Sequence, residues 1–540
     1  MRRHDDAAGR AGEPDWYAAG HWRGETLWDS LVAAARQAPG ATVDDGREAV
    51  SLSALHERAC RIAGGLSAAG VGAGSAVIVQ SRNSVDACAA LLACFAGGFV
   101  AIPLPPMFSA AQVAAVAASA KAEALILLEE EDGQRPADVL AAAPALKAAF
   151  VAGPAGAGSD KRLRAWGDCL GANPLAPAPP HPDADHMVLY SSGSTGSPKG
   201  VVHSGNTLRF AVEALARFHQ VGRTDRILVA LEFGFVGGTV LGVLLGFLAG
   251  ASTVLMRRWD AGECLAAIER HAITYTLLMP THCFDVLRHP DLDRRDTGSL
   301  SRAIMAGATP EQRRAATGRF CGIPLPMYGM SESIGHCTCA LDDAQESRNT
   351  TDGRPLPGTD MQVLDEDGNQ VPAGAIGNVF LRGPNRLRRY QARPDLTAET
   401  IVAGGWFRTG DRARYSEGGF MTFIARAGET IRRGGVMIQP GEVEAALRDH
   451  PSVAEIAVVA VPDRRLGERA CACAVLIAGQ RLDLESIRQH LAAAGLPRYQ
   501  WPEFLLILDE FPRTPSLKVR RADLAALARQ RLRDAIEPGG

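Results

Sequence analysis

Residues 190–200 read Tyr-Ser-Ser-Gly-Ser-Thr-Gly-Ser-Pro-Lys-Gly. Ser191, Ser192, Gly193, Ser194, Thr195 and Gly196 are small enough for backbone N–H groups to approach phosphate oxygens. Their hydroxyls add donors, and Lys199 adds positive charge. A flexible Ser/Gly linker has a similar composition, but a linker has no reason to sit between the apolar run 186–189 and the pair Val201-Val202. Nor is this a Walker A loop, which closes on Gly-Lys-Ser/Thr where this chain has Pro-Lys-Gly. The chemistry indicated is capture of phosphate groups by a loop between two buried strands.

The elements that must hold such a loop are legible as periodicity. Over the first four hundred residues or so, apolar runs of strand length alternate with Ala/Leu-rich helical stretches; 75–79, 86–95 and 99–104 read as strand, helix, strand. That alternation predicts a parallel α/β architecture with helices on both faces of its sheets. Segments 153–158 and 174–182, rich in Gly, Pro and Ala, read as loops. From about Asp360 the texture changes. Residues 363–369 read as a strand turning at Asp-Gly, with 378–382 as its partner. The Gly- and Arg-rich stretch 426–435 reads as a boundary, followed by a helix at 440–447, a strand at 453–461 and a helix at 484–494.

At 540 residues the chain exceeds one ordinary core. A composition 46% hydrophobic and 22% charged is globular, and a net charge of -3 from 57 basic and 60 acidic residues gives no pull toward nucleic acid or an anionic membrane. Eleven cysteines without a C-x-x-C pair read as reduced, buried thiols of a cytoplasmic protein. No apolar h-region follows the basic start, and the chain is expected to be frayed up to about Trp16. Residues 227–256 carry one charge, Glu232, and are long enough to imitate a membrane span. Glycines at 234, 237, 238, 242, 246 and 250 break the run, so it reads as buried strand, helix, buried strand, with no membrane insertion.

The 190–200 stretch resembles the signature loop of the adenylate-forming superfamily, which holds acyl-CoA synthetases, adenylation domains of peptide synthetases and luciferases. Residues 328–332 (Tyr-Gly-Met-Ser-Glu) are similar to its Tyr-Gly-x-Thr-Glu motif, 406–411 (Trp-Phe-Arg-Thr-Gly-Asp) to its Thr-Gly-Asp motif, and 512–518 (Pro-Arg-Thr-Pro-Ser-Leu-Lys) to its C-terminal lysine motif. The resemblance implies ATP, Mg²⁺ and a thiol acceptor as reaction partners: a carboxylic acid and ATP give acyl-AMP and pyrophosphate, and the acyl group then passes to a thiol. It implies a large N-terminal domain, 1–425, of layered α/β lobes plus a β-rich lobe. A hinge at 426–429 and a smaller, mobile α+β C-terminal domain, 430–540, complete the expected fold. Glu332, with Thr195, is the implied metal ligand, a hard oxygen donor suited to bridging phosphates. Asp411 and Arg426 are implied at the ribose. Tyr328 is implied at one adenine face with Gly307 and Ala308 at the other, and Gly329, Met330 and Ser331 complete the nucleotide contacts. Lys518 is the implied catalytic lysine between the acid's carboxylate and the α-phosphate, with Lys199 and Glu332 as the other catalytic groups. Leu517 stands where the motif has glycine, and Gly428 falls on the pivot position. Gly434 and Gly435 resemble the loop that admits the thiol.

Residues 431–435 and 463–471, with Arg258-Trp259-Asp260, resemble the branch of cyclohexanecarboxylate-CoA ligases and aryl-acid AMP ligases. The implied acyl pocket is lined by Phe233, Gly234, Phe235, Gly238, Met279, Ala306, Met330 and Gly335. That lining is apolar and aromatic, so it suits a hydrophobic alicyclic, aromatic or fatty acid. Glu232 keeps open an amino acid, whose ammonium it would pair. Arg432 and Arg433 could meet the phosphates of coenzyme A or equally an acidic acyl or peptidyl carrier protein bearing phosphopantetheine; the chain is expected to act as a monomer or homodimer.

Overall fold

The computed structural model describes residues 12–128, 136–152, 160–191, 199–426, 429, 431–433, 436–463, 466–514 and 518–532. By contact the described residues group into two compact units. One is drawn from 1–193, 197–361 and 381–407, the other from 362–380 and 408–540. The strands 362–380 and 408–426 thus group by contact with the C-terminal residues, whereas the boundary read at 425 concerns a hinge.

The first unit holds two large sheets. In one, eight strands run in the order Arg389–Tyr390, Lys199–Ser204, Asp185–Ser191, Val100–Leu104, Ala76–Gln80, Ala122–Leu127, Ala148–Val151, Leu163–Ala165. All pairs from Asp185–Ser191 onward are parallel, and the two strands before it turn antiparallel. In the other, seven strands run Ile323–Leu325, Arg302–Met305, Tyr275–Leu278, Arg226–Val229, Ser252–Leu255, Thr42–Asp44, Ala49–Ser51, parallel but for the last pair. The helix Val85–Gly97, between the strands Ala76–Gln80 and Val100–Leu104, is buried on every side, as an all-round apolar helix requires. Gly98 ends it at φ +72.

The strand-helix-strand reading of 227–256 holds. Arg226–Val229 and Ser252–Leu255 are parallel neighbours, joined by helical turns that include a π-helical stretch, Thr239–Leu244. No helix among the described residues is long and apolar enough to cross a membrane. The N-terminal expectation is shortened by a few residues: Trp16 is buried, and Glu13, three positions before it, already pairs with Arg386 at 2.7 Å. All eleven cysteines are free, and all but Cys60 are buried.

In the second unit, Asp360–Leu364, Ile376–Arg382, Phe407–Tyr415 and Met421–Arg426 form a four-stranded sheet, the chain passing between units within its strands. A further sheet pairs Val453–Asp463 with Gly467–Leu476 and adds Phe504–Leu508. Period-two alternation sends Val458 to one core with Ile431 and Leu491, and Val459 to another with Phe504 and Leu524. The stretch read as a boundary contains the strand Ile431–Arg433, because Ile431 is fully buried and pairs with Ile438.

Six histidines of the first unit, His56, His186, His203, His219, His282 and His336, are buried. Burial pushes the first to about 4, His219 to about 3 and the others to about 4, from an ordinary 6.5. Below pH 6.5 the unfolded chain takes protons that the folded chain refuses, so this stability is complete above 6.5 and lost as pH falls toward 4. The midpoint of thermal unfolding should therefore drop by several degrees, up to about 10 °C, between pH 7 and pH 5; a flat profile in scanning calorimetry would contradict this account.

Candidate active site

In parallel sheets, ligands bind beyond the carboxyl ends of strands where the order of connection reverses. In the seven-stranded sheet the reversal is at Arg226–Val229, since the chain goes next to Ser252–Leu255 on one side and then to Tyr275–Leu278 on the other. In the eight-stranded sheet it is at Ala76–Gln80, flanked by Val100–Leu104 and Ala122–Leu127. Asn83, 2% exposed, follows the second of these strands and joins it to the first. Its Nδ2 donates to the carbonyls of Leu231 at 2.9 Å and Met256 at 2.8 Å, with Val229 at 3.2 Å, and its Oδ1 accepts from the N–H of Phe233 at 2.7 Å.

The expected acyl lining follows the carboxyl ends of successive strands. Phe233, Gly234, Phe235 and Gly238 come after Arg226–Val229, Met279 after Tyr275–Leu278, and Ala306 after Arg302–Met305. Phe233, Gly234 and Gly238 are buried, whereas Phe235, Met279 and Ala306 are half-buried. Gly234 has φ +101, and a Cβ there would lie 2.2 Å from the nitrogen of Pro105, so only glycine fits. His282 accepts from the Met279 N–H at 3.3 Å and fixes the start of the helix Pro280–Arg288. Glu232 is an odd neighbour for this lining: its Oε2 is buried without a hydrogen-bond partner. Burial raises its pKa, against the lowering pull of Arg82 and Arg258.

Tyr328, Gly329, Met330, Ser331 and Glu332 form one strand and the tip of a hairpin, Met327–Met330 with Ser333–Thr338. A Cβ on Gly329 would stand 2.8 Å from the Gly335 nitrogen, and Gly335 itself takes φ +55. A Cβ on Gly335 would lie 3.5 Å from Leu241, so the hairpin abuts the acyl segment. Tyr328 is buried and Met330 half-buried. Gly307, exposed at φ +67 between Ala306 and the buried Ala308, would carry a Cβ 3.7 Å from Pro280. Glu332 is half-buried; its Oε1 accepts from the Tyr390 hydroxyl at 3.0 Å, and among the described residues its Oε2 meets no donor or cation. A half-buried hard oxygen so disposed fits Mg²⁺. Lys199 opens the strand Lys199–Ser204 directly opposite Ser191.

In the second unit Asp411 and Arg426 are cross-strand partners, with Arg426 Nε 3.3 Å from Asp411 Oδ1. Lys518 is exposed, and its carbonyl accepts from the Thr514 N–H at 2.7 Å. Arg433 is already engaged by Glu503 at 2.7 Å, which qualifies its reading as a ready phosphate contact. Ser192, Gly193, Ser194, Thr195, Gly196, Gly428, Gly434, Gly435 and Leu517 lie outside the described residues, as do the side chains of Ser191 and Arg432. Asn83, His203, His282 and Tyr390 went unread in the sequence, because each acts through contacts that no local pattern records.

A family model described as AMP-binding enzyme matches residues 31–391, and its C-terminal companion, AMP-binding enzyme C-terminal domain, matches 442–518. The chain is 31% identical to the sulfoacetate–CoA ligase of Cupriavidus necator, over 89% of this chain and 93% of that one. It is 33% identical to the indoleacetate–CoA ligase of Aromatoleum aromaticum, over 86% and 91%. The ATP-bound MatB of Rhodopseudomonas palustris superimposes with a TM-score of 0.85 at 25% identity, covering 95% of this chain and 99% of that one. The chain belongs to the AMP-binding enzyme family and is an AMP-forming acid–thiol ligase.

Proposed function

We propose that the chain activates a hydrophobic carboxylic acid, aromatic, alicyclic or fatty, and delivers it to coenzyme A. The observation that carries this is the apolar character of Phe235, Met279 and Ala306, which follow the carboxyl ends of three neighbouring parallel strands, and of Met330 on the hairpin, all half-buried. Such a wall gains from burying hydrocarbon and offers little to a small polar acid. Its likeness to an indoleacetate–CoA ligase supports coenzyme A as the acceptor and an aromatic acid as the substrate.

In the first half-reaction a carboxylate oxygen attacks the α-phosphorus of ATP, the bond to pyrophosphate breaks, and acyl-AMP results. Backbone and hydroxyl donors of 191–196, with Lys199, hold the leaving phosphates. Tyr328, Met330 and Ser331, with Gly307 and Ala308, flank the adenine, while Asp411 and Arg426 take the ribose hydroxyls. Glu332, with Thr195, would hold Mg²⁺, which when bound offsets the phosphate charge. Lys518 steadies the negative charge shared by carboxylate and α-phosphate. In the second half-reaction the thiol sulfur attacks the acyl carbon and AMP leaves. Residues 426–429 serve as the hinge between 1–425 and 430–540, and turning there exchanges the Lys518 face for Gly434 and Gly435. The enzyme works in the cytoplasm as a monomer or homodimer.

A second reading rests on Glu232. A buried carboxyl with an unpartnered oxygen on the acyl segment favours an acid with a polar group, an amino acid included, loaded onto a separate carrier protein.

The test is pyrophosphate release with ATP, Mg²⁺ and a panel of aromatic, alicyclic, fatty and amino acids, with and without coenzyme A. Release with hydrophobic acids, accelerated by coenzyme A, is expected; release confined to amino acids and indifferent to coenzyme A would establish the second reading. Lys518→Ala should slow acid-dependent release by about 100-fold or more while leaving the ATP-induced thermal shift in place. Glu232→Gln should leave release with an unsubstituted hydrophobic acid within about threefold of normal, since a neutral amide replaces a carboxyl whose ionisation burial already opposes.

A further inference from the structure

The tip of the hairpin that presents Glu332 is held by two side chains from the neighbouring sheet. His203, on the strand that begins with Lys199, is fully buried, and its Nε2 stands 2.7 Å from the Ser331 carbonyl. A carbonyl only accepts, so Nε2 carries the proton. Tyr390, 5% exposed, donates its hydroxyl to Glu332 Oε1 at 3.0 Å. The Leu387 N–H donates to the Glu332 carbonyl at 2.7 Å, and Arg386 bridges Ser333, so the segment 386–390 runs along the tip.

Tyr390 is itself tightly fixed. Its strand pairs antiparallel with the lysine-bearing strand, Tyr390 opposite Val201 and Arg389 opposite Val202. Arg388 and Arg389 both grip Asp185, at 2.8 and 2.5 Å. The Tyr390 N–H donates to Thr397 Oγ1 at 3.0 Å.

We propose that Tyr390 is a positioning residue for the metal: by occupying Oε1 of Glu332 it aims Oε2 at the magnesium of Mg·ATP, while His203 ties that carboxylate's turn to the strand of Lys199. This rests on the functional reading above for the identity of the nucleotide complex. A carboxylate held in one rotamer by a donor on one oxygen loses less freedom when the other oxygen binds a cation. The same strand then sets the spacing between the lysine that meets the phosphates and the carboxylate that meets their metal.

Binding of Mn²⁺ in the presence of ATP, followed by electron paramagnetic resonance, reads this without catalysis. Tyr390→Phe should weaken Mn²⁺ binding and raise the Mg²⁺ concentration for half-maximal pyrophosphate release by about tenfold, with the acid KM unchanged. In a Glu332→Gln background the same substitution should change neither value. His203→Gln, whose amide can still donate to Ser331, should keep Mn²⁺ binding within about twofold, whereas His203→Phe should weaken it. Unchanged Mn²⁺ binding in a folded Tyr390→Phe protein, or an equal loss with and without Glu332, overturns the proposal. If Tyr390→Phe fails to fold, the two His203 variants decide it: equal Mn²⁺ binding in both overturns it. Should the unsubstituted protein bind Mn²⁺ with ATP yet release no pyrophosphate with any acid, the functional reading fails while the Mn²⁺ titrations still decide this proposal.

Discussion

Asn83 is the point on which the arrangement of the first unit turns. Two parallel sheets each reverse their order of connection at one strand, and a crevice at either reversal would be of little use without the other in register. One buried amide meets carbonyls from residues 229, 231 and 256 and an N–H from residue 233, joining the ends of three strands. Unpaired, those backbone groups would each carry a desolvation penalty of about 1–3 kcal/mol. No aliphatic residue of similar volume both donates and accepts, so this site needs an amide.

From that joint the acyl segment inherits its shape. With residues 231–233 fixed, Gly234 passes so close to Pro105 that no side chain fits, and the chain turns into the Thr239–Leu244 stretch. Helices of the π type recur where a site imposes its geometry on a helix. That stretch then meets the Tyr328 hairpin at Gly335 and Leu241. The acyl segment is set by a tight backbone approach to Pro105, and it meets the hairpin through the Leu241 side chain.

Burial without charge is the second organising feature. Five of the six buried histidines make hydrogen bonds without charge, His219 linking Tyr275 and Thr338, His336 linking Ser333 and Asp360. Some ion pairs hold the chain over long separations, as Asp185 does with Arg388 and Arg389, and Arg521 with Glu444 in the second unit. Paired ions of this kind specify which segments meet more than they add net stability.

The sequence by itself determined the classes of element and the motif residues. Apolar period set the strands and helices of the α/β body, because burial selects residue type at each step along a strand or helix. Small residues and a lysine marked the 190–200 loop, whereas Asp411 and Arg426 were named only through the resemblance, and the structure sets them opposite each other on the strands Phe407–Tyr415 and Met421–Arg426. Tertiary structure alone decided which residues hold those motifs in place. Tyr390 lies 58 residues from Glu332, His203 128 from Ser331, and Asn83 148 from Leu231. It also made a strand of Ile431–Arg433, where the sequence shows mostly arginine and glycine, because a single buried isoleucine and a partner strand suffice. The physical reason is common to all of these. A hydrogen bond or a backbone approach across such distances depends on where the fold brings two segments, and local composition carries no record of that.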